Sequence, residues 1–280
     1  MGSWLSTAFV DPAVYALRPD YRASLILAEN LTPGPSDAGS EKLLADAEAR
    51  HQGESATGWE QHPHVIAWRE AFRAFGAKPQ RFRPSVEALL RRVSDGLPRI
   101  DRLTDSYNAV SVAHLLPIGG EDVDAYQGPL RLVRAAGDEP FDTVASGAPA
   151  TEHTQPGEVV WRDDLGATCR RWNWRQCVRT RLTTETTRAV FILDALGAAP
   201  DPELDAATAA LVDALRDTSP AADITTRCSP PDREPRPDRA ASPLRCRYRR
   251  QIRMNQPSRE SSRSYLACRY PSSRSQSSSS

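Results

Sequence analysis

Thr168-Cys-Arg-Arg-Trp-Asn-Trp-Arg-Gln-Cys-Val-Arg-Thr180 is the stretch whose reading decides the fold. Read as a strand, it joins residues 130–134, 158–161 and 188–194 in a strand-rich second half, cut by turns rich in Gly, Pro and Asp. Ahead of it the pattern is mostly helical. After a strand at 21–28, helices are expected at 41–50, 63–76, 84–96 and 104–115, and a last one at 202–215. Val65, Trp68, Phe72 and Phe75 line one face of the second helix, and Val86, Leu89, Leu90 and Val93 one face of the third. Strand and helix do not alternate regularly, so the class is α+β, interlocked helices with a mixed sheet, and not a doubly wound sheet.

Within the opening stretch, an extended chain turns Trp172, Trp174 and Gln176 to one side and Arg171, Asn173 and Arg175 to the other, with both cysteines. Cys169 and Cys177 are then eight steps of about 3.3 Å apart, beyond disulfide reach unless the strand bends back. The arginine face offers a fork for a carboxylate or phosphate. Its guanidinium groups need an anion or acid between them, and Asp163 and Asp164 are the nearest acids along the chain.

The chain of 280 residues has a formal charge of zero that conceals a split. Residues 225–280 hold 13 Arg against 4 acids, leaving residues 1–224 acidic. That last segment also holds 13 Ser and 7 Pro and almost no aliphatic side chains, so it is expected to be a disordered Arg/Ser/Pro-rich tail after a domain spanning 1–224. Three readings of the tail stand: a non-native end such as a frame-shifted GC-rich gene produces, a neutral tail, and a basic RNA-binding arm. Membrane spanning and Sec export are disfavoured, because no long apolar run exists. Five irregularly spaced cysteines fit a reducing, cytoplasmic setting.

Common catalytic signatures are absent: no G-x-S-x-G elbow, H-E-x-x-H, P-loop or G-x-G-x-x-G occurs. The five histidines make no convincing ligand set, and the sequence calls for no metal and no cofactor. Lys78, Arg81, Arg83, Arg91 and Arg92 crowd around two helix boundaries and form the best local candidate for a phosphate-contacting surface. The competing reading is a solvated face with acid partners four residues away, such as Glu87 with Arg91.

The succession Trp68-Arg-Glu-Ala-Phe-Arg-Ala-Phe-Gly-Ala-Lys-Pro79, Arg83-Pro-Ser-Val-Glu-Ala-Leu-Leu-Arg-Arg92, Asp105-Ser-Tyr-Asn108, Leu116-Pro-Ile-Gly-Gly120 and Cys169-Arg-Arg-Trp-Asn-Trp-Arg-Gln176 resembles stand-alone proteins of the B3/B4 family. That family is named for a domain of the bacterial phenylalanyl-tRNA synthetase β subunit. The resemblance covers residues 20–215 and implies an α+β fold of two interlocked parts. It also implies a pocket that hydrolyses a wrongly attached amino acid from tRNA, and hence an aminoacyl-tRNA deacylase that edits in trans, with tRNA or aminoacyl-tRNA as partner and no membrane.

Carried over by residue, Asn108 matches a pocket asparagine and Pro117 keeps its offset from it. The pocket histidine falls on Gly119, a Gly-Gly segment is replaced by 172–176, and the glutamate that reads a tyrosine hydroxyl falls near Ile192 or Leu193. An aminoacyl ester is already activated, so a site need only position water and hold the carbonyl. Asn108, Arg175 and the amides of Gly119 and Gly120 are the expected donors, and Asp164 or Glu185 the water-orienting carboxylate. Trp172, Asn173, Trp174 and Gln176 are expected to line the substrate. The alternatives are a non-catalytic module that binds tRNA or an amino acid, and the inert product of a damaged gene.

Overall fold

The computed structural model describes residues 3–51 and 56–229, all within the first of two compact units, Met1–Glu234. The first half contains α1 (Ser3–Thr7), β1 (Phe9–Val10), α2 (Pro12–Leu17), β2 (Arg22–Glu29), α3 (Ala38–His51), α4 (Ala56–Glu60), α5 (Pro63–Ala74), α6 (Ser85–Leu90) and α7 (Arg102–His114). There follow β3 (Ile118–Asp122), β4 (Arg131–Arg134), β5 (Pro140–Ala145), β6 (Ala148–His153), β7 (Val159–Arg162), β8 (Ala167–Arg170), β9 (Arg175–Gln176), β10 (Ala189–Ala195), α8 (Asp201–Thr218) and β11 (Asp223–Ser229). The class is α+β, as the sequence pattern indicates.

The nearly continuous apolar strands β2 and β10 lie side by side inside an antiparallel sheet of order β11-β2-β10-β3. Their side chains alternate between two cores. Leu25, Leu27, Val190 and Ile192 enter one core, where they meet Leu132, Val159 and Trp161 of the second sheet. Ile26, Ala28, Phe191 and Leu193 enter the other, beneath Leu103 and Tyr107 of α7 and Leu204 and Leu211 of α8. The second sheet, β1-β4-β7-β8-β9, is mixed, with β1 parallel to β4 and the remaining neighbours antiparallel. The β5–β6 hairpin sets Phe141 against its other face, beside Val160 and Ala167.

A local cap and a long-range histidine hub hold the helices. Asp101 caps α7 by accepting from the Thr104 amide at 2.8 Å. His64, at the start of α5, bonds the Leu115 carbonyl through Nδ1 at 2.9 Å, while its Nε2 accepts from Trp68 Nε1 and the Leu196 amide, both at 3.1 Å. This neutral tautomer joins α5, the end of α7 and the end of β10. Burial pushes its pKa down to about 4.

The strand expected over 168–180 is instead a hairpin. β8 ends at Arg170, Arg171 and Trp172 take left-handed φ values of 50° and 68°, and β9 returns antiparallel from Arg175. Without a glycine at the turn, local preference reads as extended; tertiary contacts override it. The Trp172 indole is completely buried against Tyr21 and Trp68, with centroids 5.0 and 5.3 Å away. The expected alternation of faces therefore fails: Trp172 is sealed in the core and Trp174 is only half-buried. The register sets Cys169 opposite Gln176 and ties the Cys177 amide to the Thr168 carbonyl. The two thiols accordingly enter different cores and stay free.

The boundary expected after Ile224 falls inside β11. That strand runs on to Ser229 as the seven-residue antiparallel partner of β2, and Arg227 Nη1 reaches the carbonyls of Leu5 and Ala8, each at 2.7 Å. Thr225 to Ser229 read as tail because their composition is polar; an exposed edge strand has that composition too. The rest of the expected tail, 230–280, lies outside the described residues. Among the described residues no helix is long and apolar enough to cross a membrane.

A chain ending at Ile224 should consequently unfold at a lower denaturant midpoint than one ending at Glu234. The difference should reach a few kcal/mol, at about 1 kcal/mol for each net hydrogen bond removed. Equal midpoints would show that β11 adds nothing to the sheet.

Candidate functional site

A cavity of about 250 Å³ lies where α6, α7, β3, β10 and the β8–β9 turn converge. The Ser85 amide at the start of α6 bonds the Asn173 carbonyl of the turn at 3.1 Å, so helix and turn are fixed to each other. Trp161, Trp172, Tyr107 and Ile192 supply apolar wall. Polar groups come from Asn108 on α7, Glu121 on β3, Asn173 on the turn and Asp194 on β10, with Arg92 and Arg175 as the cationic members of the lining.

Several buried polar atoms of this lining lack a partner among the described residues: Ser85 Oγ, Glu121 Oε1, Trp161 Nε1, Asn173 Oδ1 and Arg175 Nε. The side-chain amide of Asn108 also makes no hydrogen bond there, although the residue is only 7% exposed. Buried polar groups in folded proteins are nearly always satisfied, so such a concentration marks a place built for a polar ligand.

Asp194 is the main electrostatic feature. It is 2% exposed, accepts from Tyr21 Oη at 2.6 Å and from Asn173 Nδ2 at 3.2 Å, and its amide donates to the Pro117 carbonyl at 3.0 Å. Burial outweighs both side-chain donors and pushes its pKa up to about 7. Glu121 shifts in the same direction for the same reason, against donation by Tyr126 and by Thr180 Oγ1. A carboxyl that titrates near neutrality at a cavity wall is suited to proton transfer.

Of the expected residues, Asn108, Gly119, Trp172, Asn173, Trp174, Arg175 and Gln176 all meet at the cavity. Gly120 does not. A Cβ there would lie 2.8 Å from Leu182 Cδ1 and 2.9 Å from the Phe191 ring, so it faces the core, and its carbonyl accepts from Gln176 Nε2 at 2.9 Å. The two expected carboxylates are also elsewhere. Asp164 sits in the β7–β8 turn paired with Arg131 at 2.6 Å, and Glu185 is exposed in the loop before β10. That turn and that loop carry them outside the cavity lining, and Asp194 and Glu121 occupy the place they were expected to fill.

The acid that holds the arginines together is likewise not Asp163 or Asp164. Glu158 binds Arg170 with two bonds of 3.0 Å, and Glu152 bonds Arg170 at 2.7 Å and Arg175 at 2.9 Å. Asp163 is engaged by Arg179.

In the expected basic patch, Arg91 and Arg83 lie 3.2 and 3.9 Å from buried Glu87, and Arg91 also binds Glu60. Lys78 and Arg81 stand exposed, and Arg92 is exposed at the cavity. Asp194 escapes the sequence reading although a signal exists: it is the one acid closing the apolar run Val190-Phe-Ile-Leu193 before Ala195-Leu196. A charge in a strand buried on both faces demands an explanation.

Residues 67–199 match the family model described as the B3/4 domain. No curated protein matches the sequence. Among solved structures, the chain is similar to an N-terminal fragment of the phenylalanyl-tRNA synthetase β subunit from Pyrococcus horikoshii, at 15% identity and a TM-score of 0.41. That match covers 80% of this chain and 54% of the fragment, so the chain spans about half the length of the fragment it matches.

The two shifted groups make a testable pH signature. Folded Asp194 keeps its proton up to about pH 7, whereas its ordinary value is 3.8; the folded state binds more protons in between, and stability falls as pH rises through that window. His64 acts oppositely, because folding holds its pKa near 4 against 6.5, so its contribution is lost as pH falls. Comparison of Asp194→Asn with the native chain cancels the histidine. The native chain's stability relative to the variant should drop by up to about 1.4 kcal/mol per pH unit between about pH 4 and 7, read from denaturant midpoints. A pH-independent difference would mean that Asp194 is ionised throughout.

Proposed function

We propose that this chain, whose residues 67–199 form a B3/4 domain, binds aminoacyl-tRNA and hydrolyses a mischarged species in trans. The observation that carries the reading is the cavity itself: a carboxyl poised near neutrality beside unsatisfied amide groups, with arginines in its lining. Its volume, about 250 Å³, is smaller than the roughly 300–1,000 Å³ of sites for drug-sized ligands and suits a single aminoacyl group. The resemblance of 20–215 to the synthetase editing domain points the same way.

In this reading the amino-acid side chain packs against Trp161 and Ile192, and the ester carbonyl takes a hydrogen bond from the Asn108 amide. Asp194 accepts a proton from the attacking water. The water oxygen bonds to the carbonyl carbon, and the bond to the ribose oxygen then breaks. The proton passes from Asp194 to that oxygen, leaving a free amino acid and tRNA with its terminal hydroxyl restored. Lys78, Arg81 and Arg92 hold the tRNA backbone, while Arg83 and Arg91 act chiefly through Glu87.

A second reading has a specific observation behind it. Asp194 and Glu121 are two acids without a basic partner among the described residues, a combination that complements the ammonium group of a bound amino acid without any chemistry. Single-turnover deacylation of a panel of mischarged tRNAs separates the two.

Catalysis predicts turnover of at least one species, with a rate that climbs with pH and levels off above about pH 7. Asn108→Ala should cost about 100-fold in rate with stability spared, since no protein group is left without a partner. Asp194→Asn should abolish the pH-dependent rise. Binding without turnover of any species would favour the non-catalytic module.

A further inference from the structure

Helix α6 separates two hollows. Ser85, Ala88 and Leu89 line the cavity, whereas Glu87 points away from it into a pocket of about 270 Å³, completed by α5 and the segment 79–83. Four arginines and two glutamates surround this pocket: Arg69 and Arg73 of α5, Arg83, Arg91, Glu60 and Glu87. By formal charge, two guanidinium groups are left unbalanced.

Glu87 is the centre of the cluster and is 3% exposed. Arg69 holds both of its oxygens, at 2.9 and 3.0 Å, and Arg91 Nη2 bonds one of them at 3.2 Å while also bonding Glu60 at 2.8 Å. Burial alone would raise the Glu87 carboxyl, but donation from Arg69 and then Arg91 prevails and holds it below its ordinary value, so it is charged. One carboxylate cannot satisfy the guanidinium groups that remain. Arg83 stands 3.9 Å from Glu87 and donates no hydrogen bond among the described residues. Arg73, exposed in the last turn of α5, has neither a hydrogen bond nor an acid partner among them.

Guanidinium groups gathered around one small pocket repel one another. Arg69 and Arg91 are fixed by Glu87 and Glu60, while Arg73 and Arg83 bring unused N–H groups to the same space. A tetrahedral oxyanion fits that arrangement, because the planar guanidinium fork matches phosphate oxygens and donors already held in place lose less freedom on binding. Two unbalanced charges suit a phosphate monoester, which carries about −1.5 to −2 near pH 7, better than a singly charged diester.

We propose that this pocket binds the phosphate group of a monoester, with Arg73 and Arg83 as its principal ligands and Arg91 beside them. Glu87 is the positioning residue that keeps Arg69 and Arg91 in place. Two sources carry such a group, a small phosphate ester and the 5′ end of an RNA. The site does not depend on hydrolysis in the cavity.

The test is isothermal titration calorimetry of the full chain with glycerol 3-phosphate, beside singly charged dimethyl phosphate. Glycerol 3-phosphate should bind saturably and at least about tenfold more tightly than the diester. Arg73→Gln and Arg83→Gln should each weaken it about tenfold or more, as loss of a hydrogen bond to a charged group does. No saturable binding, equal affinity for the diester, or unchanged affinity in both variants would overturn the assignment. Should Arg83→Gln lose its near-UV signal, the exposed Arg73→Gln variant decides alone. To separate the sources, tRNA carrying a 5′-phosphate is compared with the same tRNA dephosphorylated. A preference of about tenfold for the phosphorylated form, removed by Arg73→Gln, assigns the pocket to the RNA end, and equal binding assigns it to a small ester. If no mischarged tRNA is hydrolysed yet glycerol 3-phosphate binding depends on these arginines, the deacylase reading fails and the site stands. If hydrolysis occurs while glycerol 3-phosphate does not bind, the site fails and the deacylase reading stands.

Discussion

Buried Glu158 is the constraint on which the site depends. One carboxylate, 3% exposed, takes two hydrogen bonds from the Arg170 guanidinium and a third from the Arg171 amide. The chain is thereby forced to leave β8 at a fixed point and direction. Two left-handed residues follow, and their cost is offset by the Trp172 indole, which is sealed among Tyr21, Trp68 and Phe75. Removing one partner of such a buried pair strands the other charge, typically at about 3–5 kcal/mol. The same turn delivers Asn173 to Asp194 and Trp174 to the cavity, so fold and site share one local decision.

The electrostatic plan follows from that geometry. Acids without basic partners among the described residues, Asp194 and Glu121, line the inner end of the cavity near the sheet, where burial favours their protonated forms. Arginines occupy the turn and its surroundings, where Glu158 and Glu152 neutralise some and leave Arg171 with only a distant acid.

The class and the central elements are legible in the sequence because they rest on periodicity. In contrast, α1, α2, α4, β1, β3 and the β5–β6 hairpin are not expected from it, and the helix expected over 84–96 stops at Leu90. The apolar runs of β2 and β10 and the aromatic face of α5 declare themselves, and the elements found there differ from expectation only at their ends. The hairpin at 171–174 is not legible, because neither left-handed residue is Gly or Asn and the stabilising contacts come from Tyr21, Trp68 and Glu158, all distant in sequence. For the same reason the expected side assignment of the tryptophans fails while the residues themselves, Asn108 and 172–176, are rightly drawn together. Asp164 and Glu185 are close to the arginines along the chain, but the sheet brings Asp194 and Glu121 to the cavity instead. Asp194 is visible as an acid in an apolar strand, but that it faces the cavity follows only from the packing of β10 beneath the turn. Strand β11 is lost to the tail because polar edge strands and disordered segments share a composition.

The most direct measurement of the central claim is a crystal structure of the chain with a non-hydrolysable aminoacyl-tRNA mimic, a 3′-aminoacylamido adenosine carrying a 5′-phosphate. The account predicts the aminoacyl group inside the cavity, its carbonyl within hydrogen-bond distance of the Asn108 amide and its reacting carbon within one water of Asp194. An aminoacyl group bound anywhere else on the chain, with Asn108 and Asp194 still unengaged by ligand, would contradict it.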